Sequence, residues 1–233
     1  MGLAGDQDVA EDLAANLSQA GQDGVDEQIR RLRAACYQAV RELAAADPDL
    51  IVVVGAGNST RSLPGSAAGS LQDFGVPLAT GTGEPVLPLS LTIGCWLIRR
   101  CLADRPWQVE LSEVAQSASA ADCLLIGARL ASRAPRVALL VMGDGSARKA
   151  LGVPGAADPR AERHDEVVAA ALAAGDVSGL AGLDPALSEE VLAAGRAAWQ
   201  VLAGAAAGRA WRAQLRYAAA PLDVGYLVAS WAR

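Results

Sequence analysis

From Val25 the apolar residues Val25, Ile29, Leu32, Cys36, Val40 and Leu43 recur at steps of three and four, which is one face of a helix. Asp47-Pro48-Asp49 ends it. The run Leu50-Ile51-Val52-Val53-Val54 that follows has no polar position, the signature of a strand buried on both faces of a parallel or mixed sheet. A long Gly/Ser-rich loop is expected over 55–75, at the carboxyl end of that strand, where ligands are commonly bound. After Pro85 and Pro88, residues 89–102 read as a buried helix, and 107–114 as a short strand. Ser119 is placed to cap a helix over 120–132, and 136–142 is a second buried strand leading into the turn Gly143-Asp144-Gly145-Ser146.

The second half continues the alternation. A helix around Glu162–Ala174 is closed by Gly175, where a left-handed residue is wanted. Asp184 followed by Pro185 caps one long helix running through "ALSEEVLAAGRAAWQVLAG", and "VGYLVASWA" closes the chain as a strand. Residues 1–24, polar and weakly periodic, are expected as a mobile lead-in or short frayed helix ahead of a domain over 25–233. No shift in composition splits 25–233. Helices alternating with buried strands therefore predict a single three-layer α/β/α domain with a mixed, largely parallel central sheet.

Composition narrows the function. The 233 residues are 52% hydrophobic, enough for a sizeable core, and carry a net charge of −6 with arginines scattered along the chain. That distribution gives no footprint for nucleic acid or anionic lipid. No run approaches the ~20 apolar residues of a membrane span. The first residues are acidic where a secretory signal is basic, and Asp6 stands where an N-myristoylation signal needs Ser or Thr. The expected location is the cytoplasm. Cys36, Cys95, Cys101 and Cys123 form no C-x-x-C pair and sit in apolar segments, as buried thiols do. Trp96 and Trp199 read as core, while Trp211 and Trp231 serve either the core or a subunit interface.

Few reagents are available for chemistry. A two-histidine, one-carboxylate iron site is excluded within a chain whose only histidine is His164, a residue expected to be partly exposed or to serve packing. An all-oxygen cation site using Asp144 has no clustered carboxylates behind it. Ser146 lacks the G-x-S-x-G spacing of a nucleophile elbow. "VVVGAGNST" places G-x-G-x-x-T after a strand, a turn whose amides can cradle an anion. Yet Thr60 replaces the third glycine, and Lys149, the only lysine, lies in no Walker motif.

The order of "DPDLIVVVGAG", "VALLVMGDGSA" and the helices "AERHDEVVAAALAAGD" and "EEVLAAGRAAWQVLAGA" resembles the class III extradiol ring-cleavage dioxygenase family, in an alanine-rich actinobacterial branch, over residues 25–231. The resemblance implies a three-layer fold, frequent dimerisation, ferrous iron held by two histidines and a glutamate, and a further histidine as acid/base. The metal-binding histidine after the first strand falls near Asn58 or Ser59 here, and the S-G-D-x-S-H turn ends in Ala147. The N-terminal segment has no Pro-His, and His164 falls at an apolar position of the related helix.

The expectation is therefore a relative with no metal site and no cofactor. It would bind a small molecule at a strand-end pocket lined by Gly55, Gly57, Asn58, Ser59, Arg61, Gly143, Asp144 and Ser146, as an accessory to a catalytic partner or as a homodimer. The alternative is an enzyme with replaced, metal-independent chemistry, in which Asp144 or Ser146 acts while Arg61 orients an anionic substrate. A structural homodimer is the third reading.

Overall fold

The computed structural model describes residues 5–147 and 158–233, with side chains from residue 24 onward. In chain order the elements are α1 (Gly5–Ala45), β1 (Leu50–Gly57), β2 (Arg61–Pro64), β3 (Ala67–Ser70), a 3-10 turn (Gln72–Phe74), β4 (Ala79–Thr80), β5 (Thr82–Pro85) and α2 (Leu89–Cys101). There follow β6 (Val109–Ala115), α3 (Ala120–Leu130), β7 (Val137–Met142), α4 (Pro159–Ala174), α5 (Val177–Ala181), α6 (Pro185–Glu190), α7 (Arg196–Ala206), β8 (Arg212–Ala219) and β9 (Tyr226–Ala232).

The central sheet has the order β2-β6-β1-β7, with β1 parallel to β6 and to β7 and β2 antiparallel at the edge. Period-two alternation along β1 divides the core between two faces. Ile51 and Val53 pack with Leu91, Cys95, Leu97 and Ile98 of α2 and Val40 of α1. Leu50, Val52 and Val54 face Cys123 and Leu130 of α3 and Ala197, Ala198 and Val201 of α7. Helices on both faces of a mixed, largely parallel sheet make the three layers. A third cluster joins α4, α5 and α7 to the β8-β9 hairpin through Val168, Leu172, Leu180 and Trp199. No helix among the described residues is long and apolar enough to cross a membrane.

Several elements depart from the sequence reading. Residues 1–4 lie outside the described residues, and from Gly5 the backbone is helical, so the helix begins well before Val25. Its first half is largely polar but places Val9, Leu13 and Leu17 at four-residue steps, contains no proline and has many good helix formers. The stretch 55–75 is not one loop: β1 continues to Gly57, β2 pairs with the outer edge of β6, and β3 joins β4 and β5 in a small sheet. Pro64 ends β2 on a sheet edge, where a missing N–H costs nothing.

The long helix expected after Pro185 is two. α6 ends in a Schellman motif, with Ala193 N bonded to the Ser188 carbonyl (2.8 Å) and Leu192 N to that of Glu189 (3.0 Å). Leu192 takes the left-handed position that glycine normally fills (φ 57°). Gly195 N is then free to donate to the Asp144 carbonyl at 2.8 Å. Ser119, Gly175 and Asp184 act as expected, Ser119 Oγ accepting from Asp122 N, Gly175 adopting φ 67° and Asp184 capping Ala186 N.

Candidate ligand-binding site

A cavity of about 860 Å³ opens at the carboxyl ends of β1 and β7. α1 lies over it with Leu32, Arg33, Cys36, Tyr37 and Val40, α2 contributes Ser90, Ile93, Trp96 and Leu97, and β9 supplies Tyr226 to Ala229. Of the residues expected to line it, Gly57, Asn58, Ser59, Arg61, Gly143 and Asp144 do so.

Gly55 and Ser146 are placed elsewhere. The missing Cβ of Gly55 leaves room for Ser90, whose Oγ donates to the Ala56 carbonyl at 2.7 Å and draws α2 against β1. Ser146 is fully buried: its amide donates to Asp165 Oδ1 (2.8 Å) and its hydroxyl sits 2.9 Å from Asp165 Oδ2 and 3.2 Å from the Ala161 carbonyl. It fastens the turn to α4 and does not face the cavity.

The G-x-G turn proves to be a cradle for a carboxylate of the chain itself. Glu113 lies on β6 in phase with Leu111, so it projects from the same face of the sheet as Ile51, Val53 and Gly57. A Cβ on Gly57 would overlap its carboxylate. Ser59 N donates to Glu113 Oε1 at 3.1 Å, and Arg61 Nε to Oε2 at 2.7 Å. The Glu113 side chain is 3% exposed. Burial opposes its charge, but Arg61 and the Ser59 amide outweigh that and hold the carboxyl below its ordinary pKa. Arg61 is further tied to the Val86 carbonyl at 2.9 Å. The anion-binding capacity of this turn is thus occupied by Glu113. Sequence reading missed that residue, although a charged residue at an inward register of an apolar strand was the available signal.

Asp144 is arranged differently. Its backbone is fixed by Gly195 N on its carbonyl, while next to it Gly145 N donates to the Gly225 carbonyl (2.7 Å) and Gly225 N to that of Ser146 (2.9 Å). Gly145 and Gly225 admit no side chain, because Asp165 lies against both. The Asp144 carboxylate itself accepts no hydrogen bond and forms no ion pair among the described residues, although solvent reaches it. The surrounding protein raises its pKa by partial desolvation, although the residue keeps an exposed face. Tyr226, following Gly225, shares this corner: burial raises its phenol's pKa and the charge of Asp144 adds to the effect.

The remaining candidates serve packing. His164 is buried, with Nδ1 3.3 Å from Asp165 Oδ1 and Nε2 3.0 Å from Ser188 Oγ. This has the connectivity of a serine–histidine–carboxylate relay, but Ser188 is 2% exposed, bonds the Asp184 carbonyl, and does not line the cavity. Among the described residues no group of three or more His, Cys, Asp or Glu is placed to hold a metal ion. Lys149 lies outside the described residues. Cys95 and Cys123 are buried and Cys36 and Cys101 half-buried. Burial pushes the Cys36 and Cys95 thiols up to about 11, so neither supplies a thiolate near neutral pH. Trp211 and Trp231 pack together with ring centroids 6.4 Å apart, and their indole N–H groups bond the Ala206 and Leu172 carbonyls.

No protein-family model matches the chain, and no curated protein sequence matches it.

Proposed function

We propose that this protein binds a small, largely apolar molecule in the strand-end cavity, as a carrier or accessory protein on a scaffold like that of the class III extradiol dioxygenases. The observation that carries the reading is the cavity: its volume of about 860 Å³ lies within the ~300–1,000 Å³ of small-molecule sites. Its place at the carboxyl ends of parallel strands is where α/β sheets bind ligands. Tyr37, Trp96, Ile93 and Leu97 supply apolar surface, while Asn58 and Asp144 supply polar groups to orient a ligand.

The iron implied by the resemblance does not fit these residues. The single imidazole is engaged by Asp165 and Ser188, Glu113 is engaged by Arg61 and Ser59, and Asn58 or Ser59, and Ala147, stand where the resemblance wants histidines. Metal-independent chemistry on an anionic substrate has less support, since the charge of Arg61 is paired with Glu113 and Ser146 is buried away from the cavity.

Isothermal titration of the purified chain with 2-phenylethanol, a neutral apolar probe, tests the reading. Saturable one-to-one binding is expected, and Leu32→Trp, which fills the roof, should abolish it. Iron bound stoichiometrically, with oxygen uptake on catechol, would overturn it.

A further inference from the structure

Resting on that reading, the geometry points to a ligand whose polar end is a cation: an apolar or aromatic amine, held by the Asp144 carboxylate with the Tyr226 ring beside it. The two fixed charges of the inner wall cancel, because Arg61 is bonded to Glu113 through Nε, and it also donates to the Val86 carbonyl through Nη2. An anionic ligand there would meet a guanidinium already neutralised by Glu113. Arg33 is the other cation on the wall, and it sits on the exposed surface of α1.

Asp144 has the opposite character. Its carboxylate faces the cavity with no ion-pair partner among the described residues, in surroundings that already disfavour its charge. Being without a protein partner among the described residues, this carboxylate can take an incoming cation without first giving up a contact. The Gly225 bridge to Gly145 and Ser146 fixes Tyr226 beside Asp144. A carboxylate and a tyrosine on the same cavity wall suit an ammonium group, the carboxylate through a charge-assisted hydrogen bond and the ring through a cation–π contact. Tyr37 and Trp96, with ring centroids 6.1 Å apart, offer apolar surface for the body of the same molecule.

The test compares three probes of similar shape on the full chain by isothermal titration: 2-phenylethylamine, 2-phenylethanol and 3-phenylpropionate. The amine is expected to bind at least about 10-fold more tightly than the alcohol, a difference of ~1.4 kcal/mol, and the acid more weakly than either. Asp144→Asn should bring amine and alcohol to equal affinity without lowering that of the alcohol. Tyr226→Phe should keep the preference and Tyr226→Leu should reduce it. Equal binding of amine and alcohol to the native chain, or an amine preference that survives Asp144→Asn, overturns the cation site and leaves the apolar cavity reading standing. Failure of all three probes to bind overturns both.

Discussion

Glu113 shows how a single side chain can decide what a turn is for. Replacing it with Gln keeps an acceptor for Ser59 N but turns an amide group toward the Arg61 guanidinium, which then lacks its carboxylate. Losing a charge-assisted bond to a buried group costs about 1–3 kcal/mol, and the half-exposed Arg61 favours the lower end. The pH dependence has a definite sign. The folded pKa of Glu113 lies below its ordinary value, so the stabilisation is present above the unfolded carboxylate pKa and is lost as pH falls through the folded one. Urea denaturation should therefore show Glu113→Gln destabilised at pH 7 and near parity with the native chain at low pH. An equal penalty at both would mean that the carboxylate's charge is not what holds the turn. The sequence displayed the G-x-G but not its occupant, because nothing local links position 113 to 57. Only the parallel register Gly55↔Glu113, Gly57↔Ala115 brings them together. Asp144 was legible for the opposite reason, since a turn directly after an apolar strand has to fall at the sheet's end, although that strand proves to be a half-buried edge strand and not the buried one expected.

Elements were read correctly where local chemistry and tertiary packing agree. β1, α2, β6, α3, β7 and α4 carry clear periods and caps, so hydrophobic spacing and capping residues sufficed. They were misread where tertiary contacts override propensity, as between α6 and α7. There an alanine-rich run is interrupted because Gly195 must reach the Asp144 carbonyl and lie against Gly143. β8 was missed altogether, since "RAQLRYAA" carries two arginines on a half-buried to exposed strand that shows no clean apolar alternation. The contact of α3 with α7 supplies a test at this scale. Gly127 and Gly204 lie where the two helix backbones meet, a Cβ on Gly127 falling inside contact distance of the Val201 carbonyl. In an isolated helix Gly127→Ala would gain about 1 kcal/mol from propensity. Here the neighbouring atom is backbone and cannot swing away, so overpacking of about 1–3 kcal/mol should dominate. The variant is expected to be less stable than the native chain by urea denaturation. A gain in stability would mean that the helices separate at negligible cost.

At the scale of the whole molecule, the cavity depends on parts that are distant in sequence. Its floor is the end of the central sheet, its roof is α1, and one wall is β9, which reaches the sheet through Gly225 at the Asp144 turn. Roof and hairpin are joined by the pair Arg216–Glu42, between β8 and α1, where the arginine is 9% exposed and also bonds Ser230 Oγ. The pair Arg30–Glu27 lies within α1, with both partners well exposed. Exposed helical pairs contribute ~0.2–0.5 kcal/mol and are screened by salt. A pair with one desolvated partner leaves that charge uncompensated when broken and costs more, about 1–2 kcal/mol at this intermediate burial. Glu42→Gln should thus destabilise the chain several-fold more than Glu27→Gln, and its effect should persist in high salt while that of Glu27→Gln vanishes. Because α1 covers the cavity, Glu42→Gln should also weaken 2-phenylethanol binding, which Glu27→Gln should leave unchanged. Equal small effects from both variants would mean that the ion pair does not hold the roof and that apolar packing of Val40, Leu43 and Tyr37 carries it alone.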